Sequence, residues 1–267
     1  MTATPTPGAA PGAAPLGSLD LSDSRRIPFT RLVRVELRKM ADTRAGFWLL
    51  VSIVLITAAI ITIFFLAADE SDRVFINFIG ITATPQGLLL PVLGILLVTS
   101  EWGQRTALTT FALEPSRPRV LWAKVAAALL IGLAAIVVAV ALAALATVIG
   151  GQDGAWENIG ADDFGNLAIL QVSGLVQGLA FGMVLLNSAG AIVAYFVLPI
   201  AFSIVANLWT AMRDAAPWVD IGTAQGPLAA GVDLTGEQWA QVLVVTLIWI
   251  VLPFAVGLWR VLRAEVK

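Results

Sequence analysis

Residues 46–67 of the chain read GFWLLVSIVLITAAIITIFFLA, a run without a charged side chain. A helix needs about 20 mostly apolar residues to cross a membrane, so this run predicts a transmembrane helix. Five further stretches meet the same criterion, at 79–99, 122–149, 166–186, 190–211 and 239–259. The fourth and fifth stretches are so close together that they must form a tight helical hairpin. The sequence therefore predicts an all-α, polytopic membrane protein with six transmembrane helices.

The composition agrees with this fold class. Hydrophobic residues make up 58% of the 267 residues, charged residues make up 13%, and the mean hydropathy is +0.89. Soluble domains average roughly 45–50% apolar and about 25% charged residues. A net charge of −2 gives no basic surplus, so no nucleic-acid partner is expected.

The absence of cysteine and histidine limits the chemistry that the chain can perform. It excludes disulfides, thiol catalysis, metal sites built from thiolate or imidazole, and a Ser-His-Asp triad. A membrane enzyme that uses only carboxylates remains an alternative, and its best candidate pair is Asp162 and Asp163. Adjacent residues point apart on a helix, however, and a polar loop is the simpler interpretation of this pair.

The basic residues predict the orientation of the spans. Seven precede the first span, four lie between the second and third, and three follow the sixth, together 14 of the 16 lysines and arginines. The alternate loops are acidic. Since cytoplasmic loops carry an excess of Lys and Arg, both termini and the loop at 100–124 are predicted to face the cytoplasm.

The region before the first span has two parts. Residues 1–24 are rich in Ala, Pro, Gly and Thr and lack apolar periodicity, which predicts a disordered tail. Residues 25–45 predict an amphipathic helix in the membrane surface, with apolar side chains on one face and Arg31, Arg34 and Arg38 on the other.

Glu36 is the exception in this helix, because its angle places it in the middle of the apolar face. One interpretation is that its carboxylate tilts to the membrane surface. The other is that it pairs with a basic residue of the 100–124 loop, because a buried unpaired charge would cost several kcal/mol.

The loop between the second and third spans reads SEWGQRTALTTFALEPSRPRVLWAK, residues 100–124. Residues 101–113 are predicted to form a helix that is closed by Pro115 and Pro118, since proline cannot continue a helix. One side of this helix gathers Glu101, Gln104, Arg105, Leu108, Phe111 and Ala112. A short mixed helix of this kind favours docking into a polar groove with an apolar centre. An ordinary solvated loop, whose basic residues only set the topology, is the alternative.

Three stretches together resemble the permease subunits of bacterial type-2 ABC transporters. They are RLVRVELRKMADTRAGFWLL at 31–50, the 100–124 loop, and WIVLPFAVGLWRVLRAEVK at 249–267. The resemblance covers about residues 28–267. It implies a six-span permease in the bacterial plasma membrane, and an exporter rather than an importer.

The resemblance also implies the roles of the cytoplasmic helices and the partners. Phe29 to Arg44, with Arg31, Arg34, Glu36 and Arg38, would be the connecting helix. Glu101 to Leu113 would be a coupling helix that contacts an ATPase subunit, with Arg117 beside it. Two permease subunits, identical or related, would pair with two ATPase subunits. The chain contains no G-x-x-x-x-G-K-[ST] phosphate loop, so ATP and magnesium would be bound by the partner and this chain needs no cofactor.

The predicted spans carry small and neutral polar residues rather than charges near the bilayer centre. Gly174, Gly178 and Gly182 align on one face and allow close approach of another helix, within this chain or in a second subunit. The intramembrane polar residues are four amides: Gln86, Gln171, Gln177 and Asn207. A path lined by such residues suits an amphiphilic or lipid-like cargo, although hydrogen bonds between helices explain the amides equally well.

Two further expectations concern what the chain lacks. An ion-coupled carrier normally places a charge inside a span, so this function class is disfavoured. A six-span membrane enzyme or sensor without an ATPase partner remains the second hypothesis. Members of the resembled family often carry short re-entrant helices before the last span, but residues 212–237 hold only brief apolar pieces.

Overall fold

The computed structural model describes residues 26–157 and 159–264. This part of the chain is helical and contains no strand. Six of its helices are long and apolar enough to cross a membrane, which confirms the predicted all-α class and the number of spans. The predicted tail at 1–24, like Arg25, lies outside the described residues.

The helices follow one another in a simple order. The helices of 20 or more residues are α2 (Arg44–Ala67), α3 (Phe75–Gly103), α5 (Arg117–Gly150), α6 (Ala161–Leu185) and α7 (Ser188–Leu208). The sixth span, Gly236–Arg263, consists of α11 (Gly236–Thr246), a π-helical segment (Leu247–Val251) and α12 (Leu252–Arg263). The short helices are α1 (Phe29–Asp42), α4 (Ala107–Leu113), α8 (Thr210–Arg213), α9 (Ala216–Val219) and α10 (Ile221–Ala229), with a 3-10 turn at Glu70–Asp72.

The centre of the bundle is the contact between α3 and α6. The predicted glycine face of α6 lies on this contact. A Cβ atom at Gly178 would overlap the backbone of Pro91, and one at Gly182 would lie 3.1 Å from the carbonyl oxygen of Ile95. On the opposite helix, a Cβ atom at Gly94 would lie 2.5 Å from the carbonyl oxygen of Leu175. These glycines therefore let the two backbones approach closely within one chain.

Helices α1 and α2 meet at a sharp corner. Thr43 adopts an extended conformation, and its side chain accepts a hydrogen bond of 3.2 Å from the backbone N–H of Gly46, which caps the start of α2. A side chain at Gly46 would overlap the backbone of Met40, so the corner requires a glycine. The helix predicted for 25–45 is thus shorter than expected and is separated from the first span.

The two ends of the bundle differ in charge, and we call them the basic end and the acidic end. The basic end comprises α1, α4, the start of α5, the turn between α6 and α7, and the end of α12. Arg117 Nη1 donates to the carbonyl oxygens of Val261 and Leu262, both at 3.1 Å, and of Ala264 at 2.8 Å. The start of α5 is therefore attached to the end of α12.

The acidic end holds the segment in which the sequence shows only brief apolar pieces. This segment forms α9 and α10, after α8 at the end of α7. Asp220 is buried and caps α10 by accepting a 3.0 Å hydrogen bond from the Thr223 backbone N–H. It also accepts a 2.6 Å bond from the hydroxyl of Ser203 on α7. Trp249 Nε1, in the π-helical segment, donates to the carbonyl oxygen of Val219 at 2.8 Å. These bonds hold the short helices against the last two spans.

Candidate functional site

Four charged side chains from three helices form a buried network at the basic end. Lys124 Nζ of α5 lies 2.6 Å from Glu36 Oε2 of α1 and 3.0 Å from Glu101 Oε1 of α3. Lys39 of α1 contacts Glu101 as well, and its Nζ lies 2.7 Å from Glu36 Oε1. We call Glu36, Lys39, Glu101 and Lys124 the charge network. It joins α1, α3 and α5 at a single point.

The network is deeply buried except on the Lys39 side. The side chains of Glu36 and Lys124 are each 4% exposed and that of Glu101 is 7% exposed, whereas that of Lys39 is 34% exposed. Lys124 Nζ also donates to the Leu97 carbonyl oxygen at 3.1 Å, which satisfies a third donor. Two carboxylates and two ammonium groups balance in charge, so no buried charge is left without a partner.

The protonation of Lys39 is matched to this environment. Burial alone would lower the pKa of Lys39, but the neighbouring carboxylates of Glu36 and Glu101 outweigh it and raise the pKa above its usual range. Lys39 therefore carries its charge throughout the neutral range and stays available to both carboxylates.

The position of Glu36 decides between the two interpretations of its sequence context. Its carboxylate does not turn to the surface but accepts from Lys124, a basic residue of the 100–124 segment. Lys124 lies two turns inside α5 rather than in a solvated loop. Neither Lys39 nor Lys124 is among the site residues predicted from the sequence. The available signal was their charge beside apolar runs, together with the partner that a buried Glu36 requires.

The continuous helix predicted over 101–113 is corrected by the structure. Helix α3 continues to Gly103, and Arg105 adopts a left-handed conformation with φ of 56°, which breaks the helix before α4 begins at Ala107. The backbone N–H of Thr106 donates to the Glu101 carbonyl oxygen at 2.9 Å and closes this turn. Glu101 consequently belongs to the end of the second span, on a different helix from Leu108 and Phe111.

Helix α4 has an inner and an outer side. Ala107 is buried, and Thr110 and Phe111 are partly buried on the same inner side. On the outer side, Leu108 is 58% exposed and Leu113 is 72% exposed. Leu108 and Leu113 are thus exposed apolar side chains on a short helix of the basic end.

The other predicted coupling residues also fall into two groups, one packed against the bundle and one exposed. The guanidinium of Arg117 lies 5.0 Å from the ring centre of Phe111, in addition to its bonds with the end of α12. Both side chains therefore hold α4 against the bundle. Gln104 and Arg105 are exposed in the turn before α4.

A groove of about 630 Å³ separates α1 from α4 and opens directly over the charge network. One wall is formed by Arg31, Leu32 and Val35, and the other by Thr109, Thr110 and Leu113. Arg34 and Arg38 are exposed outside the groove, and Arg38 pairs only loosely with Asp42 at 3.9 Å. The groove combines an apolar lining with charged groups at its base.

The four amides predicted in the spans have different surroundings. Gln171 Nε2 donates to Gln86 Oε1 at 3.2 Å, and Gln86 Nε2 donates to the Ala135 carbonyl oxygen at 2.8 Å, so this pair links α3, α5 and α6. Asn207 is exposed and donates to the Ser203 carbonyl oxygen at 2.7 Å. Gln177 is buried, and its Nε2 has no hydrogen-bond partner among the described residues.

The acidic pair of the carboxylate-enzyme alternative, Asp162 and Asp163, lies in the first turn of α6. Asp163 accepts a 2.9 Å hydrogen bond from the Gly160 backbone N–H and so helps to cap the start of α6 beside Asp162. Within residues 26–157 and 159–264 there is no group of three or more acidic side chains placed to hold a metal ion.

Comparison of the chain with protein-family models and with curated proteins gave no match.

Proposed function

We propose that this chain is the transmembrane permease subunit of an ABC transporter in the bacterial plasma membrane, with the basic end and both termini in the cytoplasm. A separate ATPase subunit docks on α4 and the groove beside α1. A second permease subunit, identical or related, completes the pair. The observation that carries the proposal is the bridge from Lys124 to both Glu36 and Glu101, because it connects the docking surface to two spans.

The proposed coupling follows from the short distance along the chain between α4 and α3. Only residues 104–106 separate the two helices, and Glu101 lies at the end of α3. A displacement of α4 is therefore delivered to α3 instead of being absorbed by a long loop. Through the charge network the same displacement reaches α1 and α5.

The outer side of α4 supplies the docking chemistry. Burying an exposed leucine stabilises a contact by about 1.5–3 kcal/mol, so Leu108 and Leu113 offer a useful apolar anchor to the ATPase. Gln104 and Arg105 beside them provide polar and charged partners. ATP and magnesium belong to the ATPase subunit, and this chain contributes the mechanical connection rather than groups for hydrolysis.

Co-purification tests the proposal. The tagged chain is isolated in mild detergent from its native membrane, and the proteins that accompany it are identified. We expect a protein with a phosphate-loop sequence, and we expect the variant Leu108→Glu with Leu113→Glu to lose it. Val232→Glu, an equally apolar-to-acidic change at an exposed position of the acidic end, is the matched control and should retain the partner.

The absence of any ATPase from the wild-type preparation, with the six-span chain intact, would contradict the proposal. A membrane enzyme or sensor would then be the better account of the chain.

A further inference from the structure

The groove between α1 and α4 combines apolar side chains with one cation that has no ion pair. Among the described residues that line the groove, Arg31 is the only charged residue outside a salt bridge, and it is exposed. Glu114 in the same wall pairs with Arg119 at 2.9 Å, and the charge network below is neutral in total. Val35 is 42% exposed and Leu113 is 72% exposed. The groove therefore fits an occupant that is apolar and carries negative charge.

The described part of the chain starts at one end of this groove. Ile27 lines the groove, and its carbonyl oxygen accepts a hydrogen bond from Arg119 Nη2 at the start of α5. This bond holds the backbone before α1 at the rim. From there the groove follows α1 as far as Thr43, a length of about 25 Å at the rise of an α-helix. A segment that precedes Ile27 is therefore attached directly to the groove.

The sequence just before this point has the composition that the groove requires. Residues 16–24 read LGSLDLSDS, with three leucines, Asp20 and Asp23, and no basic residue. Nine extended residues can span about 30 Å, which is enough for the length of the groove. Only Arg25 and Arg26 separate the segment from Ile27. So short a tether gives an effective concentration on the order of mM, so even a weak interaction would fill the groove.

We propose that residues 16–24 bind in the groove between α1 and α4. The leucines cover the apolar wall, and the carboxylates of Asp20 and Asp23 face Arg31. Leu113 belongs both to the groove and to the outer side of α4, so the segment and the ATPase compete for the same surface. Binding of the segment is independent of the ATPase; only the competition rests on the proposed function.

Crosslinking between paired cysteines tests the proposal, because the chain has no cysteine of its own. Ser22→Cys is combined with Thr109→Cys, which lies in the groove, or with Leu108→Cys, its neighbour on the outer side of α4. The full chain is purified in detergent micelles and treated with a short thiol crosslinker. Both pairs share one tether, so a segment that does not bind would react equally with either. We expect the Thr109→Cys pair to crosslink at least about fivefold more.

Charge reversal assigns the crosslink to the contact with Arg31. Asp20→Lys with Asp23→Lys should reduce it at least about threefold, because lysines then face Arg31 in place of carboxylates. Arg31→Glu should reduce it in the original chain and restore it in the chain with the two lysines. Thr2→Lys with Thr4→Lys, which adds positive charge outside the segment, is the control and should leave the crosslink unchanged. Thermal unfolding of every variant checks that the fold is retained.

Three results would overturn the proposal: equal crosslinking of the two pairs, crosslinks that join two copies of the chain and so place a second copy in the groove, or crosslinking that charge reversal does not change. Deletion of residues 16–24 should also raise the amount of ATPase recovered by co-purification, and an equal amount would contradict the competition. Absence of the ATPase from both the wild-type and the shortened chain would instead contradict the proposed function and leave the crosslink unaffected.

Discussion

Lys124 and Glu36 are 88 positions apart in the chain and form an ion pair of 2.6 Å in which both side chains are only 4% exposed. The pair joins a helix that precedes the first span to the third span. Glu101 extends it to the second span through a 3.0 Å contact with Lys124. The basic end is thus built around buried charges that depend on one another.

Removal of Lys124 should destabilise the protein strongly. Lys124→Met leaves two buried carboxylates with Lys39 as their only cation in the network, and breaking a buried ion pair in this way costs about 3–5 kcal/mol. The free energy of unfolding in detergent micelles measures the effect. Lys39→Met should cost less, because Lys39 is 34% exposed and water replaces part of its interactions. Equal losses for both variants, or a loss under about 1 kcal/mol for Lys124→Met, would argue against the network.

The contribution of Lys39 to the free energy of unfolding should be lost at high pH. Its pKa is raised in the folded protein, so its stabilising effect is complete below the unfolded-state value of about 10.4 and is lost as the pH rises through the folded-state pKa. The difference in unfolding free energy between wild type and Lys39→Met should therefore stay constant from about pH 7 to about pH 9 and shrink above about pH 10.4. A difference that shrinks already between about pH 7 and about pH 9 would contradict the raised pKa.

The contact between α3 and α6 should not tolerate a methyl group at Gly178. A Cβ atom there overlaps the backbone of Pro91, and overpacking of this kind costs about 1–3 kcal/mol. Gly165→Ala is the control on the same helix, because a Cβ atom at Gly165 meets no neighbour. Thermal unfolding should show a lower midpoint for Gly178→Ala and an unchanged or higher midpoint for Gly165→Ala. If both variants behave alike, the close approach does not stabilise the bundle.

Arg117 should hold the end of α12 in place. Arg117→Ala removes three hydrogen bonds to the carbonyl oxygens of Val261, Leu262 and Ala264. Hydrogen bonds to a charged group contribute about 1.5–3 kcal/mol, so amide exchange at the end of α12 should accelerate roughly tenfold or more. Exchange there should not change in Arg34→Ala, which alters an exposed arginine of α1. If amide exchange is unchanged in Arg117→Ala, the hydrogen bonds from Arg117 do not stabilise the end of α12.

The spans were predictable because the membrane imposes a length and a composition on each helix. All six predicted stretches correspond to helices in the structure, with bounds that differ by a few residues. The position of Glu36 among apolar residues of the sequence also allowed the alternative that it has a buried partner, and the structure shows that partner in Lys124.

The site was less predictable because it depends on contacts between distant segments. Lys124 counts as a loop cation in the sequence, yet it is buried in α5 by the packing of α1. The helix breaks at Arg105, which is neither proline nor glycine. The sequence therefore gave no sign of a break there, and residues 101–113 were predicted to form one helix. The short helices around Asp220 are held by two hydrogen bonds from distant residues. Ser203 donates to the Asp220 carboxylate, and Trp249 donates to the Val219 carbonyl oxygen. No local sequence pattern predicts either bond.

The most direct test of the central claim uses the natural lack of cysteine in the chain. Thr109→Cys places one thiol on α4, and a short crosslinker is applied in the native membrane with and without nucleotide; Asp233→Cys at the acidic end is the control. The account predicts that Thr109→Cys captures an ATPase subunit, to a different extent in the two nucleotide states, and that Asp233→Cys does not. Capture of lipid alone or of nothing at Thr109→Cys, in membranes where the chain is folded, would contradict a coupling role for α4.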